Sequence, residues 1–119
     1  MAKKISLGNK LIPVYIKNHK DKKGGHPHVI MEDIDNKHVS VGLTHDKKKG
    51  KNGTNYALEH NPLGGDRQSY MHRQGTVATK DSYYGNRQGA MTPKDYARAK
   101  EYGNRAKQKY LDSKKDKKK

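Results

Sequence analysis

Short apolar runs separated by turn-forming residues fill the first half of the chain and predict antiparallel β-strands. Residues 11–16 form the first run, and its proline is typical of an edge strand. Residues 28–34 form a second, and Asp35-Asn36-Lys37 predicts a hairpin turn, because Asp and Asn tolerate the backbone angles of turns. In residues 38–45 apolar side chains alternate with His, Ser, Gly and Thr. This alternation predicts a return strand with one buried face and one polar face.

The second half of the chain predicts shorter strands. Residues 56–59 form one candidate, and a loop follows at residues 61–65. Two more candidates, residues 69–72 and 76–79, lie on either side of Gly75.

A single helix is predicted near the end of the chain. Thr92 is a good N-cap, Pro93 suits the first turn, and Asp95 can complete a capping-box-like arrangement. Strands followed by a C-terminal helix predict an α+β fold, either a small SH3-like β-barrel or a curled antiparallel sheet with the helix packed on it. One helix face carries mostly small side chains, at intervals of three and four residues: Tyr96, Ala99, Gly103, Ala106 and Tyr110.

Composition limits the class of protein. Leu, Ile, Val and Phe together are only 16 of 119 residues, a share typical of chains with little core. Cysteine is absent, which excludes disulfides and thiolate zinc sites, and no long apolar run or signal-like core predicts a membrane span or secretion. We expect one basic domain over residues 1–112, a disordered lysine-rich tail over residues 113–119, and a cytoplasmic location.

The net charge of +15 indicates a polyanionic partner, and nucleic acid is the commonest one in a cytoplasm. One other interpretation stays open, since a lysine coat could serve solubility alone. An anionic membrane is the rival polyanion, but the sequence lacks an amphipathic helix with bulky apolar anchors, so we expect no membrane partner. The candidate nucleic-acid-binding residues are Lys47, Lys48, Lys49, Lys51, Arg67, Lys80 and Arg87.

Seven histidines supply candidate chemistry, since imidazole exchanges protons near neutral pH. Four of them lie close to the predicted hairpin: His26, His28, His38 and His45. The His26-Pro27-His28 pattern could hold a metal with nearby carboxylates, but it is short, and surface histidines without a role are the more common case. We therefore assign no metal site.

Three segments resemble the MazF/PemK family of toxin endoribonucleases, which are small SH3-like barrels that cut single-stranded RNA without a metal. Residues 24–31 (GGHPHVIM) are similar to the family's glycine loop, Arg-Pro pair and following apolar strand. Residues 39–45 (VSVGLTH) resemble its second strand, which ends in a threonine. Residues 69–80 (SYMHRQGTVATK) resemble its later Ser-to-Gln-to-Thr strand pair, and the C-terminal helix also lies where the family has one.

This resemblance implies a cleavage site. Thr44 matches the threonine of the family's site, and His26 stands where the family has its arginine. His26 would then act as acid or base while Lys47 or Arg73 stabilises the charge, or the site would be inactive. His26, Thr44 and Arg73 are thus the candidate catalytic residues, with no cofactor. The family further implies a homodimer and an acidic antitoxin protein that fills the RNA groove.

Three functions compete at this point. The first is an RNA-binding protein that acts as an endoribonuclease, through attack of the RNA 2′-hydroxyl on the adjacent phosphate. The second is a non-catalytic nucleic-acid-binding module, such as an accessory protein of a phage or plasmid or a ribosome-associated protein. The third is an interaction protein that inhibits a nucleic-acid-handling enzyme through its basic face.

The hairpin makes a geometric prediction about the candidate site. A tight turn at Asn36 places His28 opposite Thr44, with His26 just beyond and its approach fixed by Pro27. We therefore expect His26 and Thr44 on the same surface.

Overall fold

The fold is a single antiparallel sheet followed by a long helix. A computed structural model describes residues 11–21, 24–47 and 53–117. Its strands are β1 (Ile12–Asp21), β2 (Gly24–Ile34), β3 (Lys37–Thr44), β4 (Tyr56–Ala57), β5 (Tyr70–Thr79) and β6 (Tyr83–Met91). A 3₁₀ turn (Lys80–Ser82) joins β5 to β6, and the helix α1 (Pro93–Lys117) follows β6.

The six strands lie in the order β4-β5-β3-β2-β1-β6. Within the described residues the sheet does not close, because its edges β4 and β6 do not pair with each other. The backbone N–H of Ala90 on β6 donates to the carbonyl of Pro62, in the loop after β4, at 3.1 Å. The α+β class and the curled antiparallel sheet with a C-terminal helix are confirmed. A closed barrel is not formed by these strands.

Apolar side chains of the sheet form the core together with the helix. The apolar positions of β3 alternate as the sequence predicts, and Val39, Val41 and Leu43 are all buried. The main buried cluster draws on every long strand, the loop after β4 and the helix: Val14, Ile16, Val29, Val41, Leu43, Leu58, Met71, Met91, Ala99 and Tyr102.

The β2–β3 hairpin is confirmed, with a shorter turn than predicted. Only Asp35 and Asn36 form the turn, and Ile34 pairs directly with Lys37. Asp35 has a φ of 54°, in the left-handed region that Asp tolerates better than most residues.

The register of this hairpin corrects the prediction for His28. A β-bulge between Ile30 and Glu32 adds one residue to β2 relative to β3. Together with the shorter turn, the bulge makes His28 pair with Gly42 instead of Thr44. The alternation of side chains does not show the bulge, because Val29, Ile30 and Met31 are consecutive apolar residues.

The prediction that the first strand lies at an edge is wrong. β1 lies inside the sheet, between β2 and β6. Pro13 is tolerated there because its partner is Ala90 of β6, whereas the pairing with β2 begins only at Tyr15. At the position of Pro13 the strand therefore has a single neighbour, and its missing N–H breaks no ladder on the other side.

The later strands differ in two ways from the prediction. Residues 70–72 and 76–79 belong to the single strand β5, which runs through Gly75, and Ser69 precedes the strand. A Cβ on Gly75 would lie 2.7 Å from the carbonyl oxygen of Tyr102, so the glycine lets α1 pack directly on β5. The strand β6 was not predicted, because its sequence YYGNRQGAM has no regular apolar alternation and exposes most of its side chains.

The predicted helix is confirmed at its start and on its packed face. Thr92 Oγ1 accepts a hydrogen bond from the backbone N–H of Asp95 at 3.2 Å, as an N-cap does. The carboxylate of Asp95 instead turns to the loop after β4, where Oδ2 accepts the N–H groups of Glu59 and His60 at 2.8 and 3.3 Å. The helix runs to Lys117 and so includes residues 113–117 of the predicted tail, while the domain boundary at residue 112 stays a prediction.

Candidate functional site

A pocket of about 240 Å³ opens where β2 begins and β3 ends. His26 and Thr44, the two candidates that the sequence places on one surface, both line it. The other lining residues come from the same strand ends and from the loop between β4 and β5: Pro27, Leu43, His45, Asn61, Leu63 and Ser69.

The hairpin register explains why His26 and Thr44 meet. The ladder between β2 and β3 ends with the pair His28 and Gly42. Continuing the same register by two residues on each strand brings His26 opposite Thr44. Pro27 lies between them in the chain and has no N–H to donate, so the ladder ends there and leaves room for the pocket.

Thr44 has a structural contact of its own. Its Oγ1 accepts the backbone N–H of Asp46 at 3.1 Å, which caps the turn after β3. The hydroxyl hydrogen remains able to donate, because the contact with Asp46 uses only an oxygen lone pair. The side chain is therefore held at the pocket with one donor still to offer.

His45 is a pocket residue that the sequence did not select as catalytic. Its Nδ1 lies 3.3 Å from the carbonyl oxygen of Gln68, which connects the end of β3 to the loop before β5. The sequence signals were its place among the four histidines near the hairpin and its position directly after the strand-end threonine. Nothing in the pattern showed that residue 68 would face it.

The loop between β4 and β5 forms the opposite wall of the pocket and is tied by its own side chains. Asn61 Oδ1 accepts the N–H of Leu63 at 3.0 Å, and Asn61 Nδ2 donates to the carbonyl of Arg67 at 3.3 Å. Gly64 and Gly65 have φ values of 87° and 89°, which only glycine adopts freely. These contacts fix the wall without any regular element.

Arg73, the third candidate catalytic residue, does not line the pocket. Its Nε donates to the carbonyl of Thr54 at 2.9 Å, and Nη1 donates to the hydroxyl of Tyr102 at 3.4 Å. Its guanidinium lies 5.8 Å from the ring centroid of Tyr56. The structure therefore brings together two of the three candidates and holds Arg73 between β4 and the helix.

Two of the candidate nucleic-acid-binding residues lie on loops next to the pocket. Lys47 is exposed three residues after Thr44, and its carbonyl accepts the N–H of Asn55 at 2.8 Å. Arg67 is exposed on the pocket loop, between Leu63 and Ser69. Lys48, Lys49 and Lys51 lie outside the described residues.

The remaining two basic candidates lie elsewhere on the sheet. Lys80 pairs with Asp33 at 3.3 Å, beside the turn of the β2–β3 hairpin and at the other end of the hairpin from the pocket. Arg87, on β6, donates to Asn18 on β1 at 3.2 Å. A surface that includes all the candidates would therefore extend along the sheet, beyond the pocket.

Next to the pocket, the polar face of β3 carries a buried network. Ser40 shares hydrogen bonds with His28 Nδ1 at 3.0 Å and with the Tyr83 hydroxyl at 2.8 Å. The Tyr83 ring also packs against His19 and His38 at centroid distances of 4.8 and 5.0 Å. Burial raises the pKa of Tyr83. Because these groups bond to each other and are shielded from solvent, we interpret the network as structural.

The described residues include no group of three or more His, Cys, Asp or Glu that could hold a metal ion. No helix of the described residues is long and apolar enough to cross a membrane. No protein-family model, curated protein or solved structure matches this chain. The features of this chain that point to a function are therefore the pocket and the positive charge.

Proposed function

We propose that this protein binds single-stranded RNA in the cytoplasm, with the pocket beside His26 and Thr44 as the centre of the binding surface. The observation that carries the proposal is a pocket whose lining residues are followed or flanked in the chain by exposed cations. Lys47 follows Thr44 by three residues, and Arg67 lies between Leu63 and Ser69. The sequence adds further lysines at positions 48, 49 and 51. Phosphates bind Lys and Arg, and an unpaired strand can follow a short groove that a duplex cannot enter.

The composition of the pocket supports a flexible, single-stranded ligand. Leu43, Leu63 and Pro27 offer apolar surface, while Thr44, Asn61 and Ser69 offer polar groups between them. A nucleobase has an apolar face and a polar edge, so this mixture fits a base with its phosphates held outside by the loops.

A charge placed in the pocket tests the proposed site. Leu63→Glu puts a carboxylate at the pocket mouth and should weaken binding of a labelled single-stranded RNA at least about tenfold, by repelling the phosphates and occupying the pocket. Leu11→Glu is the matched control, because Leu11 and Leu63 are similarly exposed, at 36% and 39%, and the charge change is the same. Equal affinities of the two variants, or no RNA binding by the unaltered protein, would contradict the proposal.

Cleavage of the bound RNA is a second candidate function, and the shared pocket of His26 and Thr44 favours it. The reaction would be attack of a 2′-hydroxyl on the adjacent phosphate, as the resemblance to the MazF/PemK family implies. A homodimer and an acidic antitoxin protein would belong to the same proposal. The non-catalytic alternative gains support from the position of Arg73, since the pocket-lining residues that the structure describes include neither Lys nor Arg.

Cleavage is tested with a long single-stranded RNA in EDTA. If the protein is a metal-independent endoribonuclease, it yields fragments with a cyclic phosphate and a free 5′-hydroxyl, and His26→Ala lowers the rate about 10²–10⁴-fold while RNA affinity changes little. A shift of intact RNA supports the non-catalytic module. A fully active His26→Ala variant removes His26 from the mechanism.

A further inference from the structure

The pocket brings together two imidazoles from different strand ends. His26 lies near the start of β2, and His45 lies directly after the end of β3. They are the titratable side chains among the lining residues, and Thr44 lines the same pocket next to His45. Asp46 and Lys47 follow His45 in the chain, and both are exposed. Two groups that can exchange protons in one pocket are what a reaction needs when one proton leaves and another arrives.

The contact of His45 with Gln68 decides which nitrogen of His45 can accept a proton. A carbonyl oxygen only accepts hydrogen bonds, so Nδ1 of His45 carries the hydrogen that it donates to Gln68. In the neutral ring Nε2 is then the nitrogen with a lone pair. A backbone partner fixes this tautomer regardless of the residue type at position 68, because every residue offers the same carbonyl.

The other polar side chains of the pocket do not offer an equivalent group. Both ends of the Asn61 amide are engaged with its own loop, through Leu63 and Arg67. Thr44 holds the Asp46 N–H, and the hydroxyls of Thr44 and Ser69 neither gain nor lose a proton near neutral pH.

We propose that His45 is a second catalytic residue of this pocket and works as the general base, with His26 as the general acid. This inference rests on the cleavage function proposed above. The substrate is a single-stranded RNA whose 2′-hydroxyl points to Nε2 of His45.

The reaction takes one proton from the RNA and returns one to it. Nε2 of His45 takes the proton of the 2′-hydroxyl, and the 2′-oxygen forms a bond to phosphorus. The bond from phosphorus to the 5′-oxygen of the next nucleotide breaks, and protonated His26 gives its proton to that leaving oxygen. The products are a 2′,3′-cyclic phosphate and a free 5′-hydroxyl, and no oxidant, reductant or metal takes part.

The test compares His45→Ala with His60→Ala on an RNA oligonucleotide in EDTA. His60 is a matched control, because it is a histidine of the β4–β5 loop that does not line the pocket. We expect His45→Ala to lower the cleavage rate about 10²–10⁴-fold with RNA affinity within about threefold of the unaltered protein, and His60→Ala to cleave normally.

Two further readouts separate a proton-transfer role from a structural one. The cleavage rate of the unaltered protein should follow a bell-shaped pH profile, and His45→Ala should lose the limb that rises with pH. Added imidazole should restore part of the rate of His45→Ala in proportion to its concentration, which a folding defect would not permit.

The outcomes distinguish the inference from the function on which it rests. If the unaltered protein binds RNA but never cleaves it, the cleavage function and the role of His45 both fail, and RNA binding stands. If the unaltered protein cleaves and His45→Ala cleaves as fast with the same pH profile, only the role of His45 is overturned. Loss of rate with retained affinity and imidazole rescue supports it.

Discussion

Ser40 is completely buried, although the sequence places it on the polar face of β3. The hydroxyl is tolerated there because it bonds to two partners, His28 on β2 and Tyr83 on β6. A buried hydroxyl without partners would destabilise the fold by roughly 1–3 kcal/mol. Buried polar residues that form hydrogen bonds with one another thus add to the packed interior of a chain with few apolar side chains.

Removing one hydroxyl tests this network. Tyr83→Phe keeps the ring contacts and deletes the bond to Ser40, so the free energy of unfolding should fall by about 0.5–1.5 kcal/mol in a urea titration. Tyr15→Phe is the control, because Tyr15 is 56% exposed, and it should leave stability unchanged within about 0.5 kcal/mol. Equal effects of the two variants would show that the buried bond contributes nothing.

The environment of Asp33 predicts how the free energy of unfolding changes at acidic pH. The pKa of Asp33 is lowered, first by the hydrogen bond from His38 Nδ1 at 2.6 Å and also by Lys80. In the unfolded chain the pKa of Asp33 has its ordinary value of 3.8, so the unfolded state binds the proton more readily than the folded state. The stabilisation by Asp33 is present above that value and is lost as the pH falls through the lower pKa of the folded state.

Asp33→Asn should flatten this part of the stability curve. Below the folded-state pKa the variant and the unaltered protein should differ little, whereas above pH 4 the unaltered protein should be the more stable one. The measurement is the urea midpoint between pH 2 and 6, with Asp66→Asn, an exposed loop position, as control. A pH dependence that is identical in Asp33→Asn and the unaltered protein would remove Asp33 from the acid response.

At the scale of elements, regular patterns predicted the structure well and irregular ones did not. The alternation in β3 and the Thr92-Pro93 signal located a strand and the helix start, because the period of side chains follows directly from backbone geometry. The internal position of β1 and the strand β6 were missed. Both depend on which strands meet in three dimensions, and pairing partners leave little trace in a local pattern.

In the candidate site too, the part built from regular elements was predictable from the sequence and the part built from a loop was not. The hairpin brought His26 and Thr44 to one pocket because a turn and two strands fix which ends meet. The turn length and the bulge were not predicted, and together they pair His28 with Gly42 and bring His26, instead of His28, opposite Thr44. The wall formed by Asn61 could not be foreseen, since a loop held by its own side chains has no period.

Gly75 lies where β5 and α1 are too close together for a side chain. Gly75→Ala would place a Cβ 2.7 Å from the Tyr102 carbonyl oxygen, so α1 must move away from β5, and unfolding free energy should fall by about 1–3 kcal/mol. Gly103→Ala is the comparison. Its Cβ would meet the flexible side chain of Met31 at 3.3 Å, and a gain of about 1 kcal/mol in helix propensity offsets this contact.

Urea titrations measure the free energies of unfolding of the two variants. The expected order of stability is Gly103→Ala close to the unaltered protein and Gly75→Ala clearly below it. If Gly75→Ala were as stable as Gly103→Ala, the helix would not depend on the close approach to β5 at residue 75.

At the scale of the whole molecule, acidic side chains of the hairpin pair with cations of the helix. Lys107 donates to Glu32 at 2.9 Å, and Lys114 donates to Asp35 at 2.8 Å. These pairs tie α1 to the turn end of β2 and β3. At the other end of the hairpin, β3 ends at Thr44 and the exposed Lys47 follows. In the sequence, residues 47–51 contain four lysines in five positions, the densest cationic run before the C-terminal segment. The proposed RNA surface includes the pocket and Lys47.

Salt dependence and charge reversal test whether that local run or the total charge of +15 binds RNA. We expect affinity to fall as salt rises, with a log–log slope of about −0.7 per bound phosphate. Reversing Lys47, Lys48, Lys49 and Lys51 to Glu should make that slope shallower by about 0.7 for each phosphate that the variant no longer binds. Binding should weaken alike for different RNA sequences, because groups that bind phosphates do not read bases.

A matched control reverses four lysines of the C-terminal segment, Lys115, Lys117, Lys118 and Lys119, and has the same net charge as the first variant. Lys114, directly before these residues in the chain, pairs with Asp35 at the turn end of the hairpin, away from the pocket. Because charges interact over a Debye length of about 8 Å at physiological ionic strength, cations far from the bound strand contribute little. The control should therefore keep most of the affinity and the original slope in a fluorescence anisotropy titration. If the two variants bind RNA equally weakly, binding follows total charge, and the pocket end of the sheet is not the RNA surface.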